Sequence, residues 1–222
     1  MSVTKYYVEG GLLKTQRIDP KNFYIFPGDP MENYLPNDCY RDKPLIIEGI
    51  VIHYFSLINV QPNDPYNLQD NWQLMMDLNM SKENRQKFLN KHGDPGNRMY
   101  ASAHCLIGRN GELWLTVPAD KQAFHAGVSR YAGRSNWNAL SYGIELIGSA
   151  TSGFTDAQYA TLIKHVYSLM KEHNVPLDMV VGHEDIAPGR KNDPGILTGN
   201  FDMNRLRLEI YNLIACNSDV PT

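Results

Sequence analysis

Gly182 to Gly195 reads GHEDIAPGRKNDPG and sets an imidazole, His183, ahead of a lysine, Lys191, and a carboxylate, Asp193, on one short stretch. His183 closes the apolar run VVGH, after which Pro188 and Gly189 mark an irregular loop. Pro194 biases Asp193 toward extended backbone, so Lys191 and Asp193, two residues apart, project to the same side. One loop can thus return a carboxylate and an ammonium to the strand end that carries His183. Imidazole with carboxylate is a donor pair suited to zinc, whose catalytic sites take three protein ligands and leave a fourth position to water. His53, at the C-terminal end of the apolar run LIIEGIVI, is the natural third ligand.

Each residue also has an ordinary reading. A lone histidine at a strand end is more often a hydrogen-bonded structural residue, Asp-Pro-Gly is commonly a turn, and Lys191 beside Arg190 is commonly solvated charge. Glu145 is harder to explain that way. It stands between Ile144 and Leu146 in SYGIELIG, a run that reads as a buried strand, and a buried carboxylate is costly unless it is paired or functional.

The elements that must position these groups follow from periodicity. Leu45 to Ile52 is short, rich in β-branched residues and almost continuously apolar, which predicts a central strand covered on both faces. SAHCLIGRNGELWLTVP predicts a hairpin turning at Asn110-Gly111, and Ser141 to Gly148 a further buried strand. Thr155-Asp156-Ala157-Gln158 is a capping box opening a helix with Tyr159, Leu162, Ile163, Val166, Leu169 and Met170 on one face. A last helix carries Met203, Leu206, Ile210 and Leu213 on one side. The pattern predicts an α/β (mixed α+β) fold, a single domain with a central, mainly mixed β-sheet flanked by amphipathic helices. Residues 1–43, polar and punctuated by proline, read as an N-terminal extension wrapping the domain at 44–222; residues 57–99 read as a surface insertion with one or two polar helical stretches.

Composition limits the partners. The chain has 222 residues, enough for one real core, and a formal net charge of −3, which provides no basic field for nucleic acid. No apolar run is long enough for a signal peptide or a membrane span, so the expected location is cytoplasmic, with release by lysis or injection as the other route. Cys39, Cys105 and Cys216 are odd in number and lack CxxC spacing, which fits a reducing compartment. The oligomeric state has no signature in the sequence.

The order IVIHYFS, SAHCLIGRNGELWLTVP, AFHAGVSRYAGRSNWN, SYGIELIG and GHEDIAPGRKNDPG resembles the zinc-dependent N-acetylmuramoyl-L-alanine amidases, nearest the AmpD-type branch. That fold is shared with phage lysozyme-amidases and peptidoglycan recognition proteins, and the likeness runs from about Asn37 to the last helix. The resemblance implies Zn2+ held by His53, His183 and Asp193, with Glu145 as catalytic acid/base and Lys191 as the cation facing the developing oxyanion. Where many relatives carry a tyrosine before the histidine of the SAHCLI hairpin, this chain has Ala103, which leaves more of the work to Glu145. His104 and His125 occupy family motif positions that are not zinc ligands, and are expected either to line the substrate cleft or to serve structure. Arg134, Arg190 and Lys121 are candidates for meeting carboxylates of the anionic stem peptide.

The implied reaction is hydrolysis of the amide between the lactyl group of N-acetylmuramic or 1,6-anhydro-N-acetylmuramic acid and L-alanine. The expected partners are soluble muropeptides; intact peptidoglycan, cut by a phage-type or secreted lytic amidase, is the alternative. A non-catalytic peptidoglycan-binding module is disfavoured by the intact ligand set. A zincin protease is disfavoured by the absence of HExxH, since Ala187 stands at the second histidine position.

Overall fold

A computed structural model describes residues 3–9, 12–18, 30–58, 64–79 and 100–217. Twelve strands are described: β1 (Val3–Glu9), β2 (Leu12–Ile18), β3 (Met31–Glu32), β4 (Tyr40–Pro44), β5 (Gly49–Phe55), β6 (Cys105–Ile107), β7 (Leu113–Leu115), β8 (Lys121–Ala123), β9 (Arg130–Tyr131), β10 (Arg134–Ser135), β11 (Ser141–Ile147) and β12 (Val180–Gly182). Four α-helices accompany them: α1 (Leu68–Asn79), α2 (Asp156–His173), α3 (His183–Ile186) and α4 (Met203–Asn217).

Six strands form the main sheet in the order β12-β5-β11-β6-β7-β3. Pairing is parallel throughout except for the β6–β7 hairpin, so the sheet is mixed, as the sequence predicts. Gly111 closes that hairpin at φ 87°, a conformation open to glycine without steric cost. The two-residue side-chain period divides the sheet. Ile50 and Ile52 of β5, with Tyr142, Ile144 and Leu146 of β11, pack into the core with Leu162, Ile163 and Val166 of α2 and Leu206 and Ile210 of α4. The intervening residues, His53 among them, therefore face the other side. The β11–β5 register pairs Glu145 with His53, which puts both on that second face.

Helix α2 begins where the sequence predicts. Thr155 accepts from the Gln158 N–H and Gln158 reaches back to the Thr155 N–H, which satisfies two free donors of the first turn. None of the helices among the described residues is long and apolar enough to cross a membrane.

The structure differs from the periodicity reading in three places. β5 starts at Gly49, not Leu45, because the backbone at Leu45 and Glu48 donates to Asp120 and Leu140 instead of a sheet neighbour. It then continues to Phe55, so His53 lies inside the strand. β12 ends at Gly182, and His183 opens the short helix α3. The line drawn between residues 43 and 44 falls within β4, which pairs with β8, while β3 adds an edge strand beside β7. In the region read as a surface insertion, α1 buries Met75 against Leu35, Leu106 and Ile147; any second helix there falls at 80–99, outside the described residues.

Candidate functional site

Three side chains from separate segments meet above the second face of the sheet. His53 Nδ1 lies 2.9 Å from His183 Nδ1 and 3.0 Å from Asp193 Oδ2, and His183 Nδ1 lies 3.0 Å from the same oxygen. All three residues are buried, at 1%, 3% and 7% exposure. They form the one cluster among the described residues that could hold a metal ion.

Hydrogen bonds behind the cluster set which ring nitrogens are free. His125 Nε2 lies 3.2 Å from the Ser141 carbonyl, which can only accept, so His125 donates there and its Nδ1 is an acceptor. That Nδ1 is 3.0 Å from His53 Nε2, which therefore carries the proton and leaves His53 Nδ1 as a bare lone pair. His183 Nε2 is 3.1 Å from the Ala126 carbonyl, with the same result. Two imidazole lone pairs and a carboxylate oxygen thus converge with no donor among them, an arrangement that repels itself unless a cation sits between. The donor set and its orienting outer hydrogen bonds fit a tetrahedral zinc ion.

Electrostatics favour the same ligand state. Burial lowers the His53 pKa to about 4, with help from the charge of His183 and against the pull of Asp193. Burial alone would raise Asp193, but its close contacts with His183 and His53 outweigh that and hold the carboxyl well below its usual range. A neutral His53 imidazole beside an ionised carboxylate is what a metal requires.

Glu145 adjoins this cluster through the strand register. It is 9% exposed and its Oε2 is buried without a hydrogen-bond partner. Burial pushes its pKa well above the ordinary carboxylate range, Asp193 adds to the rise, and Lys191 opposes it. Lys191 is exposed, and its charge reaches both Glu145 and His53.

The other predicted residues separate into different roles. His125 is 7% exposed and orients His53 rather than facing solvent. Its ring packs so closely on β11 that a Cβ at Gly143 would lie 2.5 Å from its Cγ, so Gly143 is what admits the ring. His104 is fully buried, stacked on Tyr142, with Nδ1 accepting from the Gly143 N–H and Nε2 donating to the Lys121 carbonyl; this is a structural placement. Arg134 pairs with Glu48 and Lys121 with Asp42, so neither cation is directed at the cluster. Ala103 is fully buried and brings no hydroxyl.

Two contributors escape the sequence reading. The Tyr54 hydroxyl donates to Asn192 Oδ1 at 3.3 Å; burial raises its pKa, and the charges of Asp193 and Glu145 add to that. Its only signal is its place next to His53. Glu184, 5% exposed, anchors the loop that carries Asp193. Its N–H donates to the Asp193 carbonyl at 2.9 Å, and its carboxylate accepts from the N–H groups of Gly195, Ile196 and Leu197. Such charge-assisted bonds are stronger than neutral ones. Glu184→Ala is expected to weaken zinc binding on the order of 10- to 100-fold, as loss of an outer-shell support does, and Glu184→Gln less. Chelator competition measures this directly, and an unchanged zinc affinity in Glu184→Ala would remove the anchoring role.

A mixed sheet brings two imidazoles and a carboxylate to one point with a buried acid alongside, and so defines a domain that gathers a candidate mononuclear metal site on one face. The chain belongs to the N-acetylmuramoyl-L-alanine amidase family, whose profile matches residues 42–196. The 1,6-anhydro-N-acetylmuramyl-L-alanine amidase AmpD of Haemophilus influenzae is 39% identical over 161 residues, covering 72% of this chain and 82% of that protein. AmpD of Enterobacter cloacae is 51% identical over 94 residues, 42% of this chain and 50% of that protein. The chain spans about half the length of the enterobacterial AmpD proteins it matches. An AmpD crystal structure superposes with a TM-score of 0.63 at 33% identity, covering 83% of this chain and 96% of that one. Enzymes of this family are generally zinc dependent.

Proposed function

We propose that this protein hydrolyses the amide joining the lactyl group of N-acetylmuramic acid, in its 1,6-anhydro form above all, to the L-alanine of the stem peptide, and that it does so with one zinc ion held by His53, His183 and Asp193. The observation that carries the reading is the convergence of three lone-pair donors within 3.0 Å beside a buried glutamate, in a chain of this family.

Zinc in such a site supplies Lewis acidity and a bound water with a pKa lowered toward 7. The protein's own groups do the rest. Glu145 takes the proton of the attacking water on its free Oε2 and passes it to the departing amine nitrogen; a raised pKa suits a group that must both accept and donate near neutrality. Lys191 meets the negative charge that develops on the carbonyl oxygen. His125 keeps the His53 lone pair directed at the metal.

Small soluble muropeptides are the favoured substrate, because the AmpD relatives carry the anhydromuramyl activity in their names; a recycling role in the cytoplasm is the matching setting. The test compares release of L-alanyl peptides from an anhydro-muropeptide and from purified sacculi at equal enzyme and zinc. Faster release from the muropeptide is expected. Faster release from sacculi would replace recycling by lysis, and release from neither would reject the amidase activity.

A further inference from the structure

Two loops leave the reaction centre. Gly148 to Gly153 follow β11, the strand that carries Glu145, and Pro194 begins the stretch that follows Asp193. The side chain of Asn200 joins them. Its Oδ1 accepts from the Gly153 N–H at 2.8 Å, and its Nδ2 donates to the carbonyls of Ser149 at 3.0 Å and Pro194 at 3.2 Å. An N–H can only donate and a carbonyl can only accept, so these partners fix which way the amide faces. One neutral side chain thus ties the loop after the Glu145 strand to the residue after Asp193.

Both ends of this tie are anchored. Phe201, next to Asn200, is 1% exposed, stacked on Tyr159 of α2 with centroids 5.4 Å apart and meeting Phe154 edge-on at 5.7 Å. Its N–H donates to the Gly195 carbonyl at 3.1 Å. The Gly148 to Gly153 loop is held independently: Arg109 Nη1 donates to the Gly153 carbonyl at 2.7 Å, and Ser149 Oγ lies 3.1 Å from the Tyr66 hydroxyl. Gly195 makes room for the tie, since a Cβ there would stand 2.8 Å from the Asn200 Cβ. Because Pro194 has no N–H, the backbone next to Asp193 presents carbonyls to be held. The Glu184 N–H takes that of Asp193 and Asn200 takes that of Pro194. Glu184 sits beside His183 and so relates Asp193 to another metal ligand, whereas Asn200 relates it to the strand of Glu145. Asn200 also lies beyond residue 196, where the family match ends.

Taking the amidase reading as its basis, we propose that Asn200 is a positioning residue that fixes Asp193, and with it the bound zinc, relative to Glu145. Proton transfer to Glu145 requires the attacking water within hydrogen-bond reach of its carboxylate. A displacement of about 1 Å between such groups can cost on the order of 10²-fold in rate. A ligand loop free to shift against β11 would lose that alignment while the metal stayed bound.

The test reads the metal site apart from turnover, with the full chain loaded with cobalt(II), whose visible absorption depends on the geometry of its ligands. Asn200→Ala is expected to shift that spectrum, to weaken zinc about tenfold in chelator competition, and to lower kcat about tenfold with KM unchanged. Asn200→Asp keeps the size and the acceptor for Gly153 and loses both donors, so it should do no better. Asn200→Gln, which keeps the amide, should recover part of the loss. The metal-free variants should melt close to the wild type, which separates positioning from unfolding. An unchanged cobalt spectrum with unchanged zinc affinity in Asn200→Ala, or wild-type behaviour of Asn200→Asp, would overturn the assignment. A wild type that hydrolyses no muramyl peptide, with the cobalt spectrum still shifted in Asn200→Ala, would instead reject the amidase reading and leave the positioning of Asp193 standing.

Discussion

Glu145→Gln is expected to keep its zinc and lose on the order of 10²-fold or more in kcat, the usual loss when a general base is removed. Glutamine preserves the size of the side chain and cannot take up a proton, so the loss reports the proton transfer and not the packing. The same substitution carries a stability signature of opposite sign. In the zinc-free protein the Glu145 pKa is raised by burial, and by Asp193, above its value in the unfolded chain. The folded state therefore binds the proton more tightly, and stability falls as pH rises past the unfolded value. Glu145→Gln removes that decline. Zinc-free Glu145→Gln should thus be more stable than the zinc-free wild type at neutral pH, with the difference closing as pH falls below the ordinary carboxylate range. Urea titrations at several pH values measure it. Near-wild-type turnover in Glu145→Gln would sink the catalytic assignment, and a pH-independent stability difference would sink its electrostatic basis.

The fold was legible wherever a single local rule governs. The Thr155 to Gln158 capping box, the apolar stripe of α2 and the Asn-Gly turn of the hairpin each depend on neighbours within a few residues, and each is present as read. The ends of β5 and β12 were not legible, because they are decided by which distant backbone is available: Phe55 stays in the strand because β11 runs alongside it, and Leu45 leaves because Asp120 takes its N–H. The same distinction holds at the site. His53, His183, Asp193 and Glu145 stood out as residue types that chemistry uses or that burial makes costly. The tasks of His125 and Glu184 did not. They consist of bonds to Ser141, His53 and Gly195 to Leu197, and no spacing in the sequence announces that the carboxylate of Glu184, next to His183, will hold the loop that carries Asp193.

His53→Ala is expected to abolish zinc binding and activity together while the domain remains folded. The core face of β5 is carried by Ile50 and Ile52, which the substitution leaves in place, whereas His53 points to the opposite side. The cost to the metal-free fold is local. His125 Nδ1 loses the donor at 3.0 Å, and leaving such a buried acceptor unpaired costs about 1–3 kcal/mol. The larger effect is on linkage to the ion. A metal that binds only the folded state stabilises it by mass action, so the wild type should melt at a lower temperature after chelation and recover on adding zinc. With only His183 and Asp193 left to hold the ion, His53→Ala should melt at a temperature insensitive to both treatments. Elemental analysis gives the stoichiometry and a melting scan with and without chelator gives the linkage. One zinc per chain in His53→Ala, or a melting temperature that still rises with zinc, would place the metal on a different set of ligands.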